Sequence, residues 1–163
     1  MKYRFILAFL VLGLAGENCF AQLEVGSGPV AIVYNLYHDF AWEAVISEPE
    51  NKGLLDQSRS TLERYFDSRL ANLILKDREC EARTKEICKL DFMPLWDSQD
   101  PGASDMKITS GKGNTVNVEF LYPGDSSKIK IIYQATKVSG HWRISDIRYK
   151  SGHSLLSILE SKE

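Results

Sequence analysis

The sequence is poor in the residues and motifs that usually announce a chemistry. Its 163 residues include three cysteines and three histidines. No G-x-S-x-G, no H-E-x-x-H and no phosphate-binding P-loop occurs. Nucleophile-elbow, zinc-protease and nucleotide-phosphate chemistry are therefore not written into it. Basic residues are not in excess: 20 Lys and Arg face 22 Asp and Glu, for a net charge of −2. A polyanionic partner calls for a basic surplus, so neither nucleic acid nor an anionic membrane surface is an expected partner. Internal repeats and low-complexity segments are absent too. The one long apolar run, Phe5 to Ala15, is too short to span a bilayer comfortably, and no stable membrane insertion is expected.

That apolar run belongs to a different pattern. Lys2 and Arg4 precede it, and Cys19-Phe20-Ala21 places small residues where a signal peptidase reads. The pattern predicts a secretory signal peptide, residues 1–21, cleaved after Ala21. Gly16-Glu17-Asn18 before Cys19 is a poor lipobox. Losing Lys2, Arg4 and Glu17 takes the net charge from −2 to −3. Residues 22–163 are enough for a single domain with a real core, in a periplasmic or secreted protein.

Cys80 and Cys88 are the cysteines left after cleavage. An even pair in an exported chain predicts a disulfide. A metal site would want further ligands close by, and no His is near in sequence.

Hydrophobic periodicity then orders the chain. Val33, Leu36, Tyr37, Phe40, Ala41 and Ala44 recur at helical spacing after Gly28-Pro29 and fade at Glu48-Pro49. This predicts an amphipathic first helix. Ser60-Thr61-Leu62-Glu63 fits a capping box for a second helix, and Asp67-Ser68 could interrupt it. From Met106 the period becomes two. Val116, Val118 and Phe120 alternate with Asn117 and Glu119, and Ile129, Ile131 and Tyr133 follow. Trp142 and Ile144 lie on the opposite parity from Ile147 and Tyr149, which predicts a bulge near Asp146. Ser139-Gly140 matches a tight hairpin, Met106 to Ser110 is a further strand, and Ser154 caps a short last helix. Helices followed by an antiparallel meander define an α+β fold. A curved sheet under the first helix would leave a cone-shaped cavity.

The order of particular pieces carries a resemblance. Leu62-Glu63-Arg64-Tyr65-Phe66 is followed by Asp91-Phe92-Met93-Pro94-Leu95, with Gln99 and Asp100 behind it. Next come His141-Trp142-Arg143-Ile144-Ser145-Asp146-Ile147 and then Ser154-Leu155-Leu156. Together these resemble a family of small exported bacterial domains of unknown function, similar to the nuclear-transport-factor-two-like, or cystatin-like, cone. The resemblance covers nearly all of residues 22–163. It implies that α+β cone and an envelope location, and no settled activity. Some small exported bacterial proteins with such folds act as immunity proteins, so the resemblance also implies, more loosely, an envelope-acting toxin or another periplasmic protein as partner.

The acidic stretch KLDFMPLWDSQDPGASD, residues 89–105, could be a site or a connection. Asp97, Gln99 and Gly102 fall at offsets one, three and six of a calcium loop, but offset twelve is Ile108, so no metal or other cofactor is expected. Asp97 and Asp100 could divide acid and base roles. The simpler expectation is a connection anchored by Phe92, Leu95 and Trp96, its Asp and Gln side chains bonding its own backbone. His38-Asp39 reads as an exposed helical pair. No catalytic set is nominated. The leading expectation is a non-enzymatic periplasmic binding protein, with Arg83 and Lys85 in a stapled, outward-projecting cystine loop as partner-binding residues. A small apolar ligand held in the cone by His38, Trp42, Phe120, Tyr133 and Trp142 is the first alternative. A cone enzyme doing proton transfer or dehydration through Asp39, His38 or Asp97 is the second.

Overall fold

Four α-helices, two 3-10 turns and four strands make up the computed structural model, which describes residues 28–45 and 53–161. The predicted signal peptide and the Glu48-Pro49 break lie outside the described residues. Helix α1 (Pro29–Phe40) begins with Pro at its first position, where the missing N–H is no loss. It buries Val33, Leu36, Tyr37 and Phe40, the stripe that the spacing predicts. Burying a side chain of this size is worth about 1.5–3 kcal/mol. The α-helix stops at Phe40, and a 3-10 turn (Ala41–Ala44) continues it. A second 3-10 turn spans Leu54–Asp56.

Helix α2 (Arg59–Tyr65) is capped two residues earlier than the predicted box places its cap. Ser58 is its N-cap and accepts from Thr61 N at 3.3 Å. Glu63 approaches Arg59 at 3.7 Å instead of closing a box with Ser60. Asp67 does interrupt the helical stretch. Its carboxylate accepts from Leu70 N at 2.8 Å and caps α3 (Ser68–Thr84). Asp67 N also donates to Ile144 O at 2.9 Å, so the α2–α3 junction covers part of the last strand's edge.

Strands β1 (Ser104–Ser110), β2 (Thr115–Leu121), β3 (Lys128–Val138) and β4 (His141–Arg148) form one antiparallel sheet in the order β1-β2-β3-β4. Gln134 pairs with Asp146 and Ala135 with Ile144, which leaves Ser145 as the extra residue of a bulge. That extra residue explains the parity change. Ser139 and Gly140 both have positive φ, 50° and 83°, as a type I′ hairpin needs. A capping box at Ser154 opens α4 (Leu155–Leu159). The fold is α+β, with the helices before the meander and one short helix after it.

The core is one cluster. Val116, Val118, Phe120, Ile131, Tyr133, Ile144 and Ile147 line the inner sheet face and meet α1, α2, α3 and α4. Trp96 joins α1 to the sheet, with its ring 5.4 Å from Tyr37 and 5.7 Å from Phe120.

Cys80 and Cys88 are joined by a disulfide. Cys80 lies within α3, which runs on to Thr84, and Lys85 is its left-handed C-cap at φ 62°. The cystine segment is thus largely helix rather than the projecting loop that the sequence predicts. Its charged residues, Glu81, Arg83, Lys85 and Glu86, lie around the end of α3. Closing a segment this short is worth about 2–3 kcal/mol in chain entropy.

Candidate functional site

Three short segments build a surface pocket next to the end of α1. The first 3-10 turn brings Trp42 and Glu43, with Val45 just beyond it. The second brings Gly53 and Asp56, and the acidic stretch brings Met93, Gln99 and Asp100. The pocket holds about 460 Å³. Two anchors shape it. The Trp42 indole N–H donates to Asp39 O at 3.0 Å and fixes that ring. Glu43 Oε1 accepts from Leu54 N at 2.6 Å and draws the second 3-10 turn against the first. Gly53 permits this approach: a Cβ there would stand 2.9 Å from Glu43 Oε1.

The acidic stretch forms the third wall. Met93 N donates to Ser98 O at 2.9 Å, and Trp96 N to Met93 O at 3.0 Å. Ser98 Oγ accepts from Asp100 N at 3.1 Å. Asp77 of α3 accepts from Lys89 N at 2.8 Å and tethers the start of the stretch. The stretch is therefore an anchored connection, as the sequence predicts, but its aspartates do not bond its backbone. That work falls to Ser98 and Asp77. The Asp97 and Asp100 carboxylates accept no hydrogen bond among the described residues, and Asp91 takes one from the Gln99 side chain at 3.4 Å. Serine and a neighbouring helix do what the sequence assigns to the acids, which leaves those acids facing solvent or pockets.

Glu43 carries a raised pKa. Partial burial is the main cause and the Asp56 charge adds to it, against the stabilising Leu54 N–H and the Trp96 indole. The Trp96 indole nitrogen is buried and has no hydrogen-bond partner among the described residues. Burial of the Glu43 carboxylate outweighs the stabilising groups around it. A raised folded-state value means that this carboxylate favours folding below its ordinary pKa, and that the contribution is lost as pH rises through the folded value. Glu43→Gln, which keeps an acceptor for Leu54, should therefore raise the melting temperature at pH 7 and leave it unchanged near pH 3. Thermal unfolding at the two pH values checks this.

A second cluster lies at the end of α1. The Tyr65 hydroxyl donates to Asp39 Oδ2, His38 Nδ1 is 2.9 Å from Asp39 Oδ1, and Arg64 stands 3.7 Å from Oδ2. The bonds from Tyr65 and His38 hold the Asp39 carboxyl below its ordinary value. Burial and the Asp39 contact push Tyr65 up to about 12. With His38 71 % exposed, the arrangement is a junction fastening α1 to α2.

The remaining predicted residues are dispersed. Phe120 and Tyr133 are buried in the core, while His38, Trp42 and Trp142 line three different pockets. Arg83 and Lys85 are exposed around the end of α3. Asp97, at φ 52°, is raised by partial burial and shares a pocket of about 440 Å³ with Tyr149 and His153. Neither the Asp97 carboxylate nor the His153 ring makes a hydrogen bond among the described residues, so the two are not organised as an acid–base pair. Of the pocket's residues, the sequence nominates Trp42 for a ligand cavity and Asp100 for an acid or base role, and it weighs Gln99 as a metal ligand. Glu43, Val45, Asp56 and Met93 were missed; their one signal is the loss of helical periodicity after Ala44.

No helix among the described residues is long and apolar enough to cross a membrane. Comparison with family models, curated proteins and solved structures finds no match to this chain.

Proposed function

We propose that this chain is an exported, non-enzymatic binding protein of the cystatin-like cone type that occludes an envelope-acting toxin, and that its docking surface is the patch around Trp42. One observation carries the surface. Val45 is 83 % exposed and Met93 36 % exposed, and both line one pocket with the half-buried Trp42. Large apolar side chains gathered beside a formed pocket are the composition of an interface core. The disulfide that tethers the end of helix α3 and the predicted export signal support an oxidising compartment.

Native mass spectrometry of the protein from its own envelope fraction tests this. The expected result is a stoichiometric companion whose toxic activity falls when the purified protein is added. Val45→Asp should release the companion and restore that activity, while charge reversal at Arg83 and Lys85 should change neither. A bare protein, or a companion held equally well by Val45→Asp, overturns the reading.

A further inference from the structure

We infer that the Cys80–Cys88 disulfide is a redox lock on the acidic wall of the Trp42 pocket, so that the docking surface is complete only in the oxidised protein; this rests on the docking reading above. Helix α3 is the frame of that pocket. Arg78 Nη1 donates to Gln57 O at 2.8 Å and to Leu55 O at 3.2 Å, which holds the second 3-10 turn with its Gly53 and Asp56. Asp77, beside it, holds the acidic stretch. Its Oδ1 accepts from Lys89 N at 2.8 Å and its Oδ2 from Leu90 N at 3.3 Å.

The disulfide reinforces the second of these holds. Cys80 follows Asp77 by one helical turn on the same face, and Cys88 directly precedes Lys89. The bond therefore brings the chain back along α3 to where the Asp77 carboxylate meets it. Between the cysteines the chain has already left the helix: Lys85 is left-handed, and residues 85–87 are exposed. With the bond open, that reversal rests on hydrogen bonds to the exposed Thr84 and the half-buried Asp77. Each contributes little net, because water competes for the same groups.

The contacts further along decide what moves. Leu95 and Trp96 are buried and keep Gln99 and Asp100 in place in either state. Phe92 packs on Tyr149 with 5.3 Å between ring centroids, so the stretch is loosened and not released. Met93, between the Asp77 hold and the buried anchors, is the pocket residue that gains freedom. A wall fixed before the encounter lowers the ordering cost of docking. Both cysteines are half-buried, within reach of a small thiol or disulfide. The lock closes by exchange with a disulfide oxidant. One thiolate attacks it, the second displaces the mixed disulfide, and the oxidant takes up two electrons and two protons and leaves as two thiols.

Methyl ¹³C NMR of the methionines tests this in the oxidised protein and in the Cys80→Ser, Cys88→Ser double variant. The Met93 methyl signal should shift in the double variant, and dithiothreitol should produce the same shift in the unaltered protein. Met106, in β1, and the Gly53 amide, on the wall that Arg78 holds, should stay put. The double variant should also capture its companion from the envelope fraction about tenfold more weakly. An unmoved Met93, undiminished capture, or a collapse of Met106 together with Met93 overturns the inference. The two readings fail separately. An unmoved Met93 with companion release by Val45→Asp sinks the lock alone. A responsive Met93 with a companion indifferent to Val45→Asp sinks the docking surface alone.

Discussion

Replacing Trp96 by alanine should lower stability by about 3–5 kcal/mol, a large part of the 5–15 kcal/mol typical of a domain. The ring is 2 % exposed and stands between α1 and β2, edge-on to Tyr37 at 5.4 Å and to Phe120 at 5.7 Å. Each such aromatic pair adds about 0.5–1.5 kcal/mol beyond the area it buries. Alanine would leave a cavity bounded by a helix and a sheet that cannot both collapse into it. The loss is eased slightly because the unbonded indole N–H goes with the ring. Neighbouring acidic positions should behave very differently. Asp100→Asn should stay within about 0.5 kcal/mol, since the Asp100 carboxylate bonds nothing among the described residues. Urea unfolding of both variants decides the matter. A loss under about 1 kcal/mol for Trp96→Ala would mean that the connection is held by something other than its aromatic anchor.

The contrast within this one stretch shows what sequence could tell. Apolar anchors are legible because burial follows from residue type: Leu95 and Trp96 were expected in the core and lie there. The sheet is legible for the same reason, since a period of two fixes which face of β2 and β3 turns inward. Even the bulge could be read, because one extra residue inverts parity, and Ser145 is that residue. Choices among equivalent polar partners are not legible. Ser58 and Ser60 both suit an N-cap, and the Arg59–Glu63 approach is one reason Glu63 does not complete a box with Ser60. Asp, Gln and Ser all bond loop backbones well, and here Ser98 accepts from the Asp100 N–H while the Asp97 and Asp100 carboxylates accept nothing among the described residues. The pocket was least legible. Its walls come from three segments that no periodicity links, and Glu43 meets Leu54 only because Gly53 lets the backbone come close.

The second large effect concerns two phenols under α1, and its size depends on which is removed. Tyr37 Oη donates to Leu95 O at 2.7 Å and lies 2.8 Å from Tyr133 Oη. Tyr37 has one proton, and Leu95 O takes it. Tyr133 must then be the donor between the hydroxyls, so the chain runs Tyr133 to Tyr37 to Leu95. Burial drives both phenols well above their ordinary range, so they act as neutral hydroxyls and the chain does not titrate. Tyr133→Phe removes its first link. Tyr37 keeps its acceptor, the Leu95 carbonyl keeps its donor, and the cost is about 1 kcal/mol. Tyr37→Phe removes the middle. A buried Tyr133 hydroxyl and a buried Leu95 carbonyl are then both orphaned, and each costs about 1–3 kcal/mol, for a loss of about 3 kcal/mol. The double variant should be less destabilised than Tyr37→Phe alone, because the second change removes the orphaned Tyr133 donor. Equilibrium unfolding of the two single variants and the double variant measures all three differences. Equal losses in the single variants would mean that the Tyr133 hydroxyl and the Leu95 carbonyl find other partners once Tyr37 is gone, which would overturn this chain of donation.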